Sequence, residues 1–344
     1  MFPPLVRAHQ RIVRLVAAAF ALAAATSASA TTASAQNPDL ALSQAERDSI
    51  LAHYKNRFPI WGRKAIERGF DLPRPFGISL NGVYATQNID ITSLGLSTGS
   101  DPTVPVEFIK FGEVTAPIFT PNARLDLWVL PFLNVYTFGG KAWISTDVNL
   151  TDPVAFGTKV DQTGVYGGVG VTGTMGIKHN WLAFDVNWAW TDAEKLSELV
   201  NTRIFGIRYG RAQKLSGTQR LALWIGAMKQ TLNSTTNGSI NLDEVISGGG
   251  GGSGSALEDY KDSAWYQALP PAQKKVVDQI VDRILGIDPS NVTINYSLDK
   301  ATKDPWNMLL GASYDWSKSW QGRIESGFIG RKQVLVQINY RLNW

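Results

Sequence analysis

The sequence predicts an all-β membrane protein: a closed antiparallel transmembrane β-barrel of about ten strands, with eight or twelve as alternatives. Three observations carry this. First, the final strand alternates. Val334, Val336, Ile338, Tyr340, Leu342 and Trp344 fall on one face, and Gln337, Asn339, Arg341 and Asn343 on the other, with Leu335 the only exception. A two-residue period is what a strand needs when one side meets hydrocarbon and the other water. Second, the connections between candidate strands sort by length. The segments 116–122, 179–180, 213–217 and 317–318 are short, and 91–103, 138–162, 192–200 and 232–305 are longer; only the turn at Gly330-Arg331 departs. Spanning barrels place short turns at one end and long loops at the other. Third, no stretch of 18 apolar residues follows the N-terminal region, so any crossing uses strands rather than helices.

Taken in order, residues 1–35 have the layout of a cleaved secretory signal. Arg7, Arg11 and Arg14 precede an apolar run from Leu15 to Ala25, and two A-x-A sites follow, ending at Ala30 and Ala35. Residues 36–75 read as a helical lead-in. Ser43 to Glu46 form a capping box, and Ile50, Leu51, Tyr54 and Phe58 follow at helical spacing until Pro59. This segment is expected to pack beneath the barrel, the alternative being a plug within it.

The barrel is expected over 76–344. Its strands are placed at 76–90, 104–115, from 123 onward with Pro131 marking a bend, 163–178, around 182–191, 201–212, 218–231, 306–316, 319–330 and 332–344. The clearest sets Leu182, Phe184, Val186, Trp188 and Trp190 against Ala183, Asp185, Asn187, Ala189 and Thr191. Residues 232–305 form an insert, placed outside the cell. It has a polar, turn-rich stretch from Asn233 to Asn241, a Gly/Ser linker at 248–255 and two amphipathic helices. The first helix holds Leu257 to Leu269 and the second Val276 to Leu285, as a hairpin, and Asn291 to Leu298 is read as an extra strand beyond the membrane.

Trp306 and Trp316 point the same way ten residues apart, which at strand rise and barrel tilt is roughly 25 Å along the membrane normal. They suggest two aromatic girdles, joined by Trp188, Trp190, Tyr314, Trp320, Tyr340 and Trp344. With apolar faces turned to lipid, the lumen receives Glu113, Arg124, Asp126, Asp185, Arg208, Arg220, Asp315, Arg323, Glu325 and Arg341. Five are acidic and five basic. A single-sign ring would indicate an ion-selective pore, whereas a mixed set indicates salt-bridged filling of a narrow cylinder, with room for a narrow polar path beside it.

With an aromatic residue closing the terminal strand and a secretory N-terminus, the sequence resembles the bacterial outer-membrane β-barrel proteins, a broad porin-like class. The resemblance covers residues 76–344 as an architecture and extends to no subfamily. It implies the cell outer membrane of a Gram-negative envelope, contact with outer-membrane lipid, and recognition of the C-terminal strand by the barrel-assembly machinery. Small solutes are the expected cargo. The alternative is a structural or surface-interaction barrel with a plugged lumen that acts through its outer loops and insert.

Catalysis is not expected. Cys is absent, and His53 and His179 lie in the lead-in and in an inner turn, away from the outer rim. No phosphate loop or metal-ligand spacing occurs, so no cofactor or metal is expected. The net charge of +4 gives no argument for nucleic acid.

Overall fold

The computed structural model describes residues 40–98, 104–105, 110–152, 156–177, 179–194, 199–232, 235–241, 261, 264–275, 278 and 293–342. Thirteen strands form one antiparallel sheet. They are β1 Phe76–Thr98, β2 Val104–Pro105, β3 Lys110–Leu130, β4 Leu133–Asp152, β5 Phe156–Ile177, β6 Asn180–Ala193, β7 Val200–Lys214, β8 Arg220–Leu232, β9 Thr235–Asn241, β10 Thr293–Thr302, β11 Trp306–Asp315, β12 Trp320–Gly327 and β13 Lys332–Leu342. Helices among the described residues include α1 Gln44–His53, α2 Gly62–Glu67 and α3 Ala264–Gln267, and residues 271–275 are helical as well.

Ten of these strands are the staves of a closed barrel: β1, β3 through β8, and β11 through β13. Closure comes from β1 and β13, which pair from Phe76 with Leu342 to Thr86 with Lys332. Hydrocarbon offers no partner for a backbone N–H or C=O, and a closed ladder leaves no edge unpaired. The two-residue period then sorts the side chains. On β1, Ile78, Leu80 and Tyr84 are exposed on the outside, while Ser79, Asn81 and Val83 are buried inside. The same division holds on β8, where Leu223 and Ile225 are exposed and Ala222, Trp224 and Met228 are buried. The core of this molecule is its lumen.

The short connections after β3, β5, β7 and β11 all lie at the end that holds Phe76 and Leu342, called here the inner end. At the outer end the staves are unequal. β12 and β13 stop at a short turn, but β1 continues to Thr98. That would leave the upper edge of β1 open. It is taken instead by β10, which pairs with β1 from Ile89 with Thr302 to Thr98 with Ile294. β9 and β10 continue the β8–β11 hairpin outward and lean over the short β12–β13 turn, with Lys303 N–H reaching Asn88 O at 3.4 Å. The one short outer connection, at Gly330-Arg331, is thus roofed by a neighbouring hairpin.

Several boundaries differ from the sequence expectation. Residues 116–122 are not a turn but the middle of β3, and the turn falls at Pro131-Phe132. Pro117 and Pro121 mimic a turn signal. They are accommodated because the β3–β4 ladder skips 116–117 and 120–121 while β3 pairs unbroken with β1 across Val114 to Leu127. Residues 138–162 are not a loop either, being filled by β4 and the start of β5, paired from Leu133 with Gly173 to Leu150 with Phe156. The polar stretch from Asn233 to Asn241 contains β9. The expected extra strand near 291–298 is β10. In the insert, Ala264–Gln267 is helical, and residues 248–255 and 279–285 lie outside the described residues, as does the signal-like segment 1–35.

Leu223 and Phe184 face outward on the belt. Leu223→Arg and Phe184→Arg are each expected to destabilise the barrel by about 2–4 kcal/mol if near the midplane. Denaturant titration in lipid vesicles reads this directly, and unchanged midpoints for both variants would contradict the face assignment.

Candidate functional site

The lumen divides into layers along the barrel axis. At the inner mouth lies the segment 40–75. Ser43 N–H donates to Glu46 Oε2 at 2.9 Å and Glu46 N–H to Ser43 Oγ at 3.3 Å, capping α1. The bond from the Ser43 backbone, together with the Ser43 hydroxyl and nearby Lys214, holds the Glu46 carboxyl below the usual range. Ile60 N–H donates to Val129 O at 2.8 Å, fixing the segment under β3. The helices therefore sit at the inner end, but Leu40 enters the lumen. It is buried against Trp181, Ala183, Ala212, Ala222 and Trp224. Asp71 pairs with Arg220, and with Lys318 at 3.5 Å, and Arg341 donates to Arg74 O at 2.8 Å. The cavity left between Asp71–Pro73 and the barrel is only ≈ 30 Å³, about one water's share of liquid volume.

Above this lies a continuous network of charge. Arg341 Nη2 is 2.8 Å from Asp126 Oδ1. Asn134 joins Asp126 at 2.7 Å and Arg124 at 3.1 Å. The Arg124 guanidinium stacks 3.6 Å from the Tyr136 ring centroid, and the Tyr136 hydroxyl donates to Asn187. Asn187 donates to Asp185 at 3.0 Å, and Asp185 pairs with Arg208. Arg208 then crosses the lumen to Glu325 with two bonds, 2.8 and 2.9 Å. Glu325 also accepts from Arg323 at 2.7 Å and from Trp224 Nε1 at 2.7 Å. Every link is buried. A lone buried charge is very costly, so each is offset by a partner of opposite sign. Glycines on β7 and β11 make room. A Cβ on Gly206 would meet Asp185 Oδ1 at 2.5 Å and Arg208 Nη1 at 2.8 Å, and one on Gly311 would strike the Trp224 indole.

The outer half is different. Its inner wall carries Gln87, Thr146, Thr191, Thr202 and Gln230, all buried. Both amide atoms of Gln87 and Gln230, and the three hydroxyls, have no protein partner. Buried polar groups are nearly always satisfied, by ordered water where protein is lacking.

Of the ten charges expected in the lumen, Arg124, Asp126, Asp185, Arg208, Asp315, Arg323, Glu325 and Arg341 are buried inside, and Arg220 is half-buried at the inner mouth. Asp315 accepts from Gln321 at 2.7 Å. Glu113 lies in an irregular stretch of β3, and its side chain falls outside the described residues. Among the girdle residues, Trp188, Trp190 and Trp306 are exposed on the outer wall. At the inner end Tyr314 packs edge-on to Trp316 at 5.9 Å, and Trp320 on Tyr340 at 4.7 Å. Trp344 is outside the described residues. A further outward row, Tyr84, Phe119 and Trp143, runs across β1, β3 and β4, with Phe119 and Trp143 stacked at 5.9 Å. Trp143 falls within an expected loop, where no apolar period points to a strand partner. Leu40 and Arg331 carry no such signal in the sequence either. Arg331 shares the parity of Gln333, Gln337 and Arg341, a signal hidden by its place in a turn.

A closed barrel with an apolar outer wall and a polar, ion-paired lumen defines the class of outer-membrane β-barrel proteins. The chain is similar to the outer membrane protein OprG from Pseudomonas aeruginosa (TM-score 0.36, 11% identity, 79% of this chain and 98% of that one). It is also similar to the translocator domain of the autotransporter NalP from Neisseria meningitidis (TM-score 0.34, 10% identity, 88% and 99%). The toluene transporter TodX from Pseudomonas putida is a further likeness (TM-score 0.27, 8% identity, 93% and 97%). No protein-family model and no curated protein matches the sequence.

Arg208→Met leaves Asp185 without its cation and is expected to cost about 3–5 kcal/mol. Arg208→Met with Asp185→Asn restores the balance, since Glu325 keeps Arg323, and should recover most of that loss. Equal denaturation midpoints for the single and double variants would show that charge pairing is not what the network provides.

Proposed function

We propose that this chain passes small polar solutes through a narrow lumen, closed at its inner mouth by residues 40–75. The observation that carries the reading is the polar, largely uncharged inner wall of the outer half. Gln87, Thr146, Thr191, Thr202 and Gln230 face inward, buried and without protein partners, so they would offer hydrogen-bonding groups to a solute once the lumen widens around them. The inner closure is built from contacts that can separate without unfolding a stave. They are one leucine among aromatic and small side chains, and ion pairs at the rim. An enzymatic role is not part of this reading. His53 is exposed and its ring nitrogen bonds Ser49 O of its own helix, and His179 lies at the inner end.

A second reading, a structural barrel acting through its outer surface, is favoured by one observation. The charge network spans the lumen from β3 to β12, and β9 and β10 raise the sheet above the belt.

Planar-bilayer recording separates the two. Full-length protein is expected to give small, infrequent openings. Leu40→Asp, which sets a carboxylate against Trp181 and Trp224, is expected to raise the open fraction several-fold. Absence of conductance in both forms, with heat-modifiable gel migration intact, would remove the conduit reading and leave the structural one.

A further inference from the structure

A cleft of ≈ 520 Å³ lies at the inner rim of the barrel, between α2, the β3–β4 turn and the last residues of β5. Lys64 and Arg68 line it one helical turn apart, with Arg68 N–H donating to Lys64 O at 3.3 Å. Among the described residues that line the cleft none is acidic, and neighbouring Glu67 pairs with Arg63 at 3.5 Å. The rest of the lining is largely apolar. Phe132, Met175 and Trp61 are exposed there. Trp61 sits at φ 69°, a left-handed backbone that bulky residues rarely adopt. Tryptophan at the edge of an apolar belt marks the level where lipid headgroups begin.

A second hollow lies one step up the outer wall. It is a trough of ≈ 760 Å³ across β13, β1, β3, β4 and β5, lined among others by the outward-facing Leu125, Leu127, Val135, Val169 and Val171. Both volumes fall in the range of about 300–1,000 Å³ usual for small-ligand sites. The two hollows share strands. Thr174 N–H donates to Phe132 O at 2.8 Å at the cleft, and Val135 pairs with Val171 in the trough. That separation is roughly 10 Å along the strands at the usual rise. Between them, on the outward face of β5, lies Gly173, where a Cβ would meet nothing within 4 Å. The wall there is bare backbone, an open passage from one hollow to the other.

We propose that cleft and trough together hold one anionic phospholipid of the inner leaflet. Its phosphate lies on Lys64 and Arg68, and an acyl chain runs over Gly173 into the trough. A free phosphate would use only the cations, and a hydrocarbon would use only the trough. A phospholipid uses both, and the cleft lies at the edge of the belt, where headgroups meet basic side chains. Because α2 belongs to the segment that closes the inner mouth, the bound lipid ties that segment to the barrel rim. The assignment does not depend on whether the lumen conducts.

Native mass spectrometry of the full-length protein, released from detergent micelles containing dioleoyl phosphatidylglycerol, tests it. One retained lipid per barrel is expected, in preference to dioleoyl phosphatidylcholine, whose chains are the same. Lys64→Gln together with Arg68→Gln should weaken retention by about tenfold, since two basic contacts to an anionic headgroup are lost. Gly173→Phe fills the passage without touching either cation and should weaken retention severalfold. Lys64 and Arg68 are exposed and Gly173 faces open space, so all three variants should fold, as heat-modifiable migration checks. Equal retention of the two lipids, or unchanged retention in the double variant, would overturn the proposal. Loading of several lipids with no distinct first one would also overturn it, leaving ordinary boundary lipid. Equal retention by Gly173→Phe, or full displacement by an equal concentration of glycerol 3-phosphate, would overturn the assignment to a whole phospholipid.

Discussion

The constraint on which the rest depends is that hydrocarbon offers nothing to a backbone hydrogen-bonding group. It forces the sheet to close, and β1 against β13 is where it closes. Closure fixes an inside and an outside, and the strand period assigns alternate residues to each. The same rule works above the belt in weaker form. There, water can satisfy an edge, but an open edge on long β1 would still invite pairing with other chains. β10 covers it, and the ladder from β8 and β11 runs on into β9 and β10 without a change of partner.

An inward-facing polar wall creates a second demand. Ten staves enclose only a narrow space, and charges within it are largely removed from bulk water. The inner half answers by pairing most of its charges with one another and giving Asp315 an amide donor. Glycine opposite a large polar side chain is part of the solution, since Gly206 and Gly311 leave space that Arg208, Asp185 and Trp224 occupy. Filling and neutralising are thus one arrangement. Replacing a glycine there would disturb the ion pairs as directly as replacing a charge.

Much of the barrel was legible in the sequence because the belt imposes alternation on both faces. β6 is the plainest case, with Phe184, Trp188 and Trp190 exposed against buried Ala183, Asp185, Asn187 and Ala189. Legibility fails where the outer face meets water instead of lipid. Ser145 and Asp161 face outward on β4 and β5, bonded to each other across the ladder. With polar residues on the outside, the strands from 138 to 162 lose the apolar period and read as a loop. Prolines in β3 misled for another reason. A proline is read as a break, yet a ladder can skip the missing donor on one side while the other side stays paired. The lumen charges were readable from parity alone, but their partners were not, because Arg208 and Glu325 are 117 residues apart and meet only across the closed cylinder.

Charge and polarity are distributed unequally along the axis, and that inequality bears on how the lumen behaves. The inner half carries the charges, and they bond one another from Arg341 to Glu325, although Arg323 Nε and Nη1, Arg341 Nε and both Asn339 amide atoms stay buried without a partner. The outer half holds amides and hydroxyls without protein partners. A charge-paired floor below a largely uncharged polar stretch has a consequence for any path through the barrel. The floor and the inserted Leu40 act in series, one inside the wall and the other at the inner mouth. Withdrawing the segment 40–75 exposes Trp181 and Arg220 to the inner solvent but leaves the Arg208–Glu325 crossing in place. Water entering from the inner side would then raise the local dielectric and weaken that crossing, because its strength depends on exclusion of solvent. The inner segment therefore helps to hold the network closed even though it forms no bond with Arg208 or Glu325 among the described residues.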